Sequence, residues 1–156
     1  SKKMKIEKAS RKDAEEVYAV IKEAVLAVYP KYYPPAVTAW FANDLHSMEH
    51  TAAQIAAGQV YVLRGARIVG TVCVKEDCVA GLYVLPGYGR RGFGSLLLHH
   101  AEQLAAKHGG VVRVDSSAPA EQFYLRRGYT ETGEGCAEIY GEHLTWKKME
   151  KRLWKE

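Results

Sequence analysis

The residues Leu82-Tyr83-Val84-Leu85-Pro86-Gly87-Tyr88-Gly89-Arg90-Arg91-Gly92-Phe93-Gly94-Ser95 run from an apolar, strand-like segment through four glycines in eight positions into a helical start, continued by Leu96-Leu97-Leu98. Glycine lets a backbone turn tightly and approach a ligand with no Cβ in the way. The unpaired N–H groups of a helix's first turn point into the preceding loop, and the macrodipole favours an anion there. Arg90 and Arg91 add positive charge at the same place. The combination predicts a loop for a ligand with more than one phosphate. A turn that served only close strand–helix packing would need neither four glycines nor two arginines.

Three phosphate-binding readings compete. A Walker A loop requires lysine where Phe93 stands, although Gly87 and Gly92 have its glycine spacing. A dinucleotide fingerprint is matched literally by Gly87-x-Gly89-x-x-Gly92, and Asp115 falls near the place of a ribose-binding acid. Against that reading stand Pro86 ahead of the first glycine and only about forty residues after Asp115. So does the pattern upstream. Strand-like runs at 59–64, 67–75 and 78–85 are joined by Gly65-Ala66 and Glu76-Asp77, short enough for antiparallel hairpins rather than a parallel sheet.

Outward from there, residues 5–9 read as a strand. A helix over 12–28, capped by Ser10 or Asp13, places Val17, Val20, Ile21, Ala24, Val25 and Val28 on one face. Helices over 36–46 and 51–57 follow the turn Lys31-Tyr32-Tyr33-Pro34-Pro35. Downstream of the glycine loop come a helix (93–108), a β-branched strand (111–115), a helix (119–127) stopped by Gly128, and strands at 129–134 and 143–151. The expected fold is a single α/β domain over 4–154, in the order β-α-α-β-β-β-α-β-α-β-β. Two or three helices separate the first strand from the meander, depending on whether the short Ala-rich one counts. The sheet is mixed and mostly antiparallel, of about seven strands with flanking helices.

The third reading is a family resemblance. Leu82-Tyr83-Val84-x-Pro86 with Arg90-Arg91-Gly92-Phe93-Gly94-Ser95 resembles the acetyl-CoA-binding motif of the GNAT superfamily of N-acetyltransferases, written Gln/Arg-x-x-Gly-x-Gly/Ala. Ala120-Glu121-Gln122-Phe123-Tyr124-Leu125-Arg126-Arg127-Gly128-Tyr129 resembles that family's Ala-x-x-Phe-Tyr-x-x-x-Gly-Phe/Tyr block, about thirty residues further on. One departure is that the Gln/Arg position falls on Gly89, which leaves a backbone N–H but no side chain.

The resemblance implies direct, sequential transfer of an acetyl group from acetyl-CoA to a primary amine of a small molecule or peptide. It implies that the backbone of Leu82, Tyr83 and Val84 pairs with pantetheine, and that Gly89, Arg90, Arg91, Gly92, Phe93, Gly94 and Ser95 hold the pyrophosphate. Asp115 and Ser117 would border the thioester, and Tyr124 would give a proton to the departing thiolate. A non-catalytic acyl-CoA sensor with the same fold is the alternative.

Other residues carry weaker signals. The attacking amine must lose a proton, and Glu76, Asp77 and Asp115 are candidate bases, each equally explained as a strand-end carboxylate. Tyr32 and Tyr33 form a candidate substrate lip, while Trp40 and Phe41 on a helix read as core. His46-Ser47-Met48-Glu49-His50 matches a zinc pattern, but without a third marked ligand no metal is expected. Cys73, Cys78 and Cys136 have no CxxC spacing, and direct transfer needs no cysteine nucleophile.

Composition is that of a globular protein, with 47% hydrophobic and 26% charged residues. A net charge of +4 is too small and dispersed to argue for nucleic acid. No run approaches the ~20 apolar residues of a membrane span, and nothing reads as a signal peptide. A cytoplasmic protein is expected, a monomer or a homodimer, with Trp146 and Trp154 as candidates for a dimer edge.

Overall fold

The computed structural model describes residues 3–153. Seven strands form one sheet: β1 (Lys5–Lys8), β2 (Val60–Arg64), β3 (Ile68–Lys75), β4 (Cys78–Val84), β5 (Val111–Ser116), β6 (Thr130–Ile139) and β7 (Glu142–Arg152). Their spatial order is β1-β2-β3-β4-β5-β7-β6. Only β4 and β5 run parallel; every other neighbouring pair is antiparallel. The strand that feeds the glycine loop therefore lies in a meander, which excludes the doubly wound parallel sheet of a dinucleotide fold.

Helices cover both faces. On one face α1 (Ala14–Val28) packs Val17, Val20, Ile21 and Val25 against Val60, Val62, Ile68 and Cys73 of the sheet. Two more helices, α2 (Pro35–Ala39) and α3 (Met48–Ala56), share that face. On the other, α4 (Phe93–Ala105) buries Leu97, Leu98, Ala101 and Ala105 against Val69, Val72 and Val112, with α5 (Glu121–Arg126) beside it. Covered from both sides, β3 is buried along Ile68–Val74 and so reads as a near-continuous apolar run, interrupted by Thr71, rather than an alternating one.

Three elements differ from expectation. The helix expected over 36–46 is α2 followed by a π-helical turn over Trp40–Leu45, closed by the His46 N–H donating to the Phe41 carbonyl at 3.3 Å. A π turn widens the helix and re-aims the side chains leaving it. The helix expected to start at Thr51 starts at Met48, because Ser47 Oγ accepts the His50 N–H at 3.0 Å and caps it. Finally, β6 extends to Ile139 and takes in the stretch around Cys136 that would otherwise be loop. Insertion of β7 between β5 and β6 makes β6 the edge strand and places Trp146 inside the sheet. Trp154 lies outside the described residues.

Candidate active site

The sheet opens at one place. The partners of β3 residues Cys73 and Val74 on β4 are Gly81 and Val79, so Ala80 is an extra, unpaired residue: a β-bulge. A bulge bends its strand, and pairing of β4 with β5 ends there. Cys78 faces Arg113 and Val79 faces Val114, and beyond them no β4–β5 pair forms. The edge of β4 from Ala80 to Val84 therefore offers unpaired backbone N–H and C=O groups to the gap. A cleft of about 340 Å³ fills it.

One wall comes from Tyr29 just after α1, from the π turn with His46, and from β4. His46 Nε2 and the Tyr83 hydroxyl share a hydrogen bond of 2.7 Å. The Tyr29 hydroxyl shares one of 3.1 Å with Ser117 Oγ, across the gap. Burial drives the His46 imidazole down to about 4, so it is neutral near pH 7, and drives the Tyr29 and Tyr83 phenols upward. Tyr29, Tyr33 and Phe41 pack as an aromatic cluster, with ring centroids 4.9–5.6 Å apart. The Tyr33 hydroxyl accepts the Ala118 N–H at 2.8 Å and so braces the chain after β5.

Across the sheet, α5 brings Tyr124 into the lining beside Val114 and Ala120. Tyr124 is 4% exposed, and its phenol is pushed well above the usual tyrosine range by burial. At any ordinary pH it is a hydrogen-bond donor. Asp115 is the one carboxylate among the described lining residues. Glu76 occupies the β3–β4 turn with φ +58°, and Asp77 is held by Arg113 through two hydrogen bonds of 2.8 and 3.1 Å; neither lines the cleft.

The glycine loop lies where β4 leads into α4. Gly87 and Gly92 have φ of +89° and +79°, in the region that favours glycine. A Cβ built on Gly87, Gly89 or Gly92 meets nothing within 4 Å, so the loop's outer surface is open. The first helical bond of α4 runs from the Leu96 N–H to the Gly92 carbonyl, leaving the N–H groups of Phe93, Gly94 and Ser95 without intrahelical acceptors. Arg90 and Arg91 are exposed, with Arg91 stacked 5.3 Å from the Tyr88 ring centre. Gly94 has a packing reason as well, since a Cβ there would stand 3.0 Å from Phe123. Free N–H groups at a helix start, beside two exposed arginines, are the donors an anion such as a diphosphate can use.

The structure gathers Leu82, Tyr83, Asp115, Ser117 and Tyr124 around one cleft; Tyr32 and Tyr33 are not among its lining residues. Tyr32 is 53% exposed. Sequence reasoning did not place His46, Trp40 or Trp146 in the lining. It also missed Arg127, whose guanidinium lies 3.8 Å from the Phe123 ring centre and donates to Ser95 Oγ at 2.8 Å, adding a cation at the start of α4. His50 is exposed while His46 points into the cleft, and among the described residues no group of three His, Cys, Asp or Glu could hold a metal ion.

A family model described as the acetyltransferase (GNAT) domain matches residues 9–153. Several solved structures share the fold. A GCN5-related N-acetyltransferase of Rhodopseudomonas palustris superposes with a TM-score of 0.87 at 24% identity, over 98% of this chain and 96% of that one. The PaiA N-acetyltransferase of Thermoplasma acidophilum, in complex with coenzyme A, gives 0.77 at 20% identity, over 96% and 99%. YncA of Salmonella typhimurium, with its cofactor acetyl-CoA, gives 0.72 at 19% identity, over 99% and 96%. Among curated proteins none matches the chain.

Proposed function

The chain belongs to the acetyltransferase (GNAT) family, and we propose that it transfers an acetyl group from acetyl-CoA directly to a primary amine. The observation that carries this reading is the opening of the sheet at Ala80, which leaves a free strand edge and a buried phenol around one cleft, on the same strand that leads into the glycine loop. Acetyl-CoA supplies an activated thioester. Backbone groups of Leu82 to Val84 align its pantetheine arm as an added strand would be aligned. The N–H groups of Gly89 to Ser95, with Arg90 and Arg91, hold its pyrophosphate.

Within the cleft the phenol of Tyr124 donates a hydrogen bond to the sulfur as the C–S bond breaks. Its raised pKa, relative to a thiol near 8.5, makes this stabilisation of a thiolate rather than complete proton transfer. The apolar walls disfavour an ammonium ion and so favour the neutral amine that attacks. Asp115, lining the cleft yet exposed to water, accepts the proton and passes it to solvent.

Calorimetric titration with acetyl-CoA, with NAD as control, tests the donor; release of free thiol on adding amines tests the transfer. Stoichiometric binding of acetyl-CoA and amine-dependent thiol release support the reading. Binding without turnover would leave a non-catalytic acyl-CoA sensor, and heat from NAD alone would overturn both.

A further inference from the structure

Resting on the acetyltransferase reading of the same cleft, we propose that the acceptor is a small lipophilic monoamine, an aryl- or alkylamine that carries no carboxylate. The part of the cleft left for it is bounded by Trp40, Phe41 and Leu45 from the α2–π segment and by Leu144 and Trp146 from β7. No lysine or arginine is among the described lining residues. A substrate carboxylate would lose its water with no cation to meet it, and would lie in the same cleft as Asp115.

The basic residues nearest Asp115 in the strand pairing are committed elsewhere. Arg113, two positions before it on β5, is clamped to Asp77. Lys148, its cross-strand partner on β7, runs across β6, with its Cδ 3.9 Å from the position of a Cβ on Gly133.

Outside, the charge again favours an amine. Trp40 and Leu45 also border an outer hollow, whose other lining residues are Asp44, Ser47, Glu49 and His50. Two carboxylates at a mouth draw in a cation, and Trp40, shared by hollow and cleft, offers it an aromatic face on the way. A polyamine or an aminoglycoside would have to bury several charges or hydroxyls against these apolar walls, with one carboxylate to answer them. The volume of about 340 Å³, shared with the acetyl end of the donor, suits a small body.

The test compares acceptors by thiol release with saturating acetyl-CoA. 2-Phenylethylamine and phenylalanine differ by one carboxylate, and the amine is expected to have a kcat/KM about 100-fold higher. Equal rates, or a preference for phenylalanine, would overturn the proposal. So would a preference for spermidine, kanamycin or a peptide N-terminus, while leaving the transferase reading intact. Acetyl-CoA binding with no amine turned over would overturn it as well. Absence of both acetyl-CoA binding and thiol release would instead remove the transferase reading beneath it. As a second measurement, Asp44→Asn with Glu49→Gln should raise KM for 2-phenylethylamine about 3-fold at low salt, an effect that fades at high salt; an unchanged KM would overturn the steering role of the mouth.

Discussion

His46 Nε2 and the Tyr83 hydroxyl meet at 2.7 Å in the wall of the cleft, joining the end of the π turn to the free part of β4. The two groups are far apart in sequence and come from elements that do not pair. The bond holds the π segment against β4, and the wall that carries Trp40 and Phe41 depends on it. The turn between β6 and β7 adds a second tie, from the Tyr140 hydroxyl to the Asp44 carboxylate.

Folding stability should therefore respond to acid through His46. Its folded pKa of about 4 lies below the ordinary 6.5, so the unfolded chain binds the extra proton first. Its contribution is fully present above about 6.5 and is lost as pH falls from there towards 4, on the order of 3 kcal/mol in all. Urea unfolding at several pH values, for the native chain and His46→Gln, measures it. Identical pH slopes for the two proteins would show that His46 is not held neutral.

Replacing Tyr124 by Phe removes the donor but keeps the ring that packs edge-on against Tyr129. We expect unchanged acetyl-CoA affinity and a kcat lower by about 100-fold. Because burial raises this phenol, the native rate should show no loss from tyrosine ionisation up to about pH 10. Full activity in Tyr124→Phe would exclude the role.

The glycine loop can be tested by a matched pair. Gly92→Asp brings a negative charge to the start of α4 and a side chain to φ +79°, and should weaken acetyl-CoA binding by at least about 30-fold. Gly89→Ala adds a methyl group that meets nothing within 4 Å and should bind within about 3-fold of the native chain. Native affinity in Gly92→Asp would mean that the cradle lies elsewhere.

Gly135 on β6 supports Trp146 from behind: a Cβ there would stand 2.5 Å or less from three indole atoms. Gly135→Ala must displace the indole, at a cost of about 1–3 kcal/mol, and so reshape the acceptor end of the cleft. The expected result is lower stability by chemical unfolding together with a changed ranking of amines; unaltered selectivity would argue against Trp146 as an acceptor wall.

Much of this protein is legible locally. The apolar face of α1, the three strands of the meander and the glycine loop that opens α4 follow from spacing and from what glycine permits, and each appears where the pattern places it. Tyr124 was marked by a short block of sequence, and Asp115 by its place at the end of a strand. Neither the π turn nor the depth of His46 could be read this way. Residues 36–46 have an ordinary helical pattern, which gives no sign of the π turn in which Phe41 packs edge-on against Tyr29 and Trp40 against Phe41. His46 looked like half of a metal pair because His50 follows four residues later, and it took the opening of the sheet to show which way each ring points.

By itself the sequence determines most of the element order and the glycine loop with its two arginines, because these depend on dihedral freedom and charge within a few residues. Only the tertiary structure decided the cleft. Ala80 becomes a bulge solely because β3 pairs on both sides of it, and the gap between β4 and β5 exists because β4 bends away after Val79. Trp146 reaches that gap because β7 inserts beside β5, a pairing between segments separated by a helix and a strand. Such contacts are selected by the packing of the whole sheet, where burial of apolar surface on both faces outweighs any preference local to one segment.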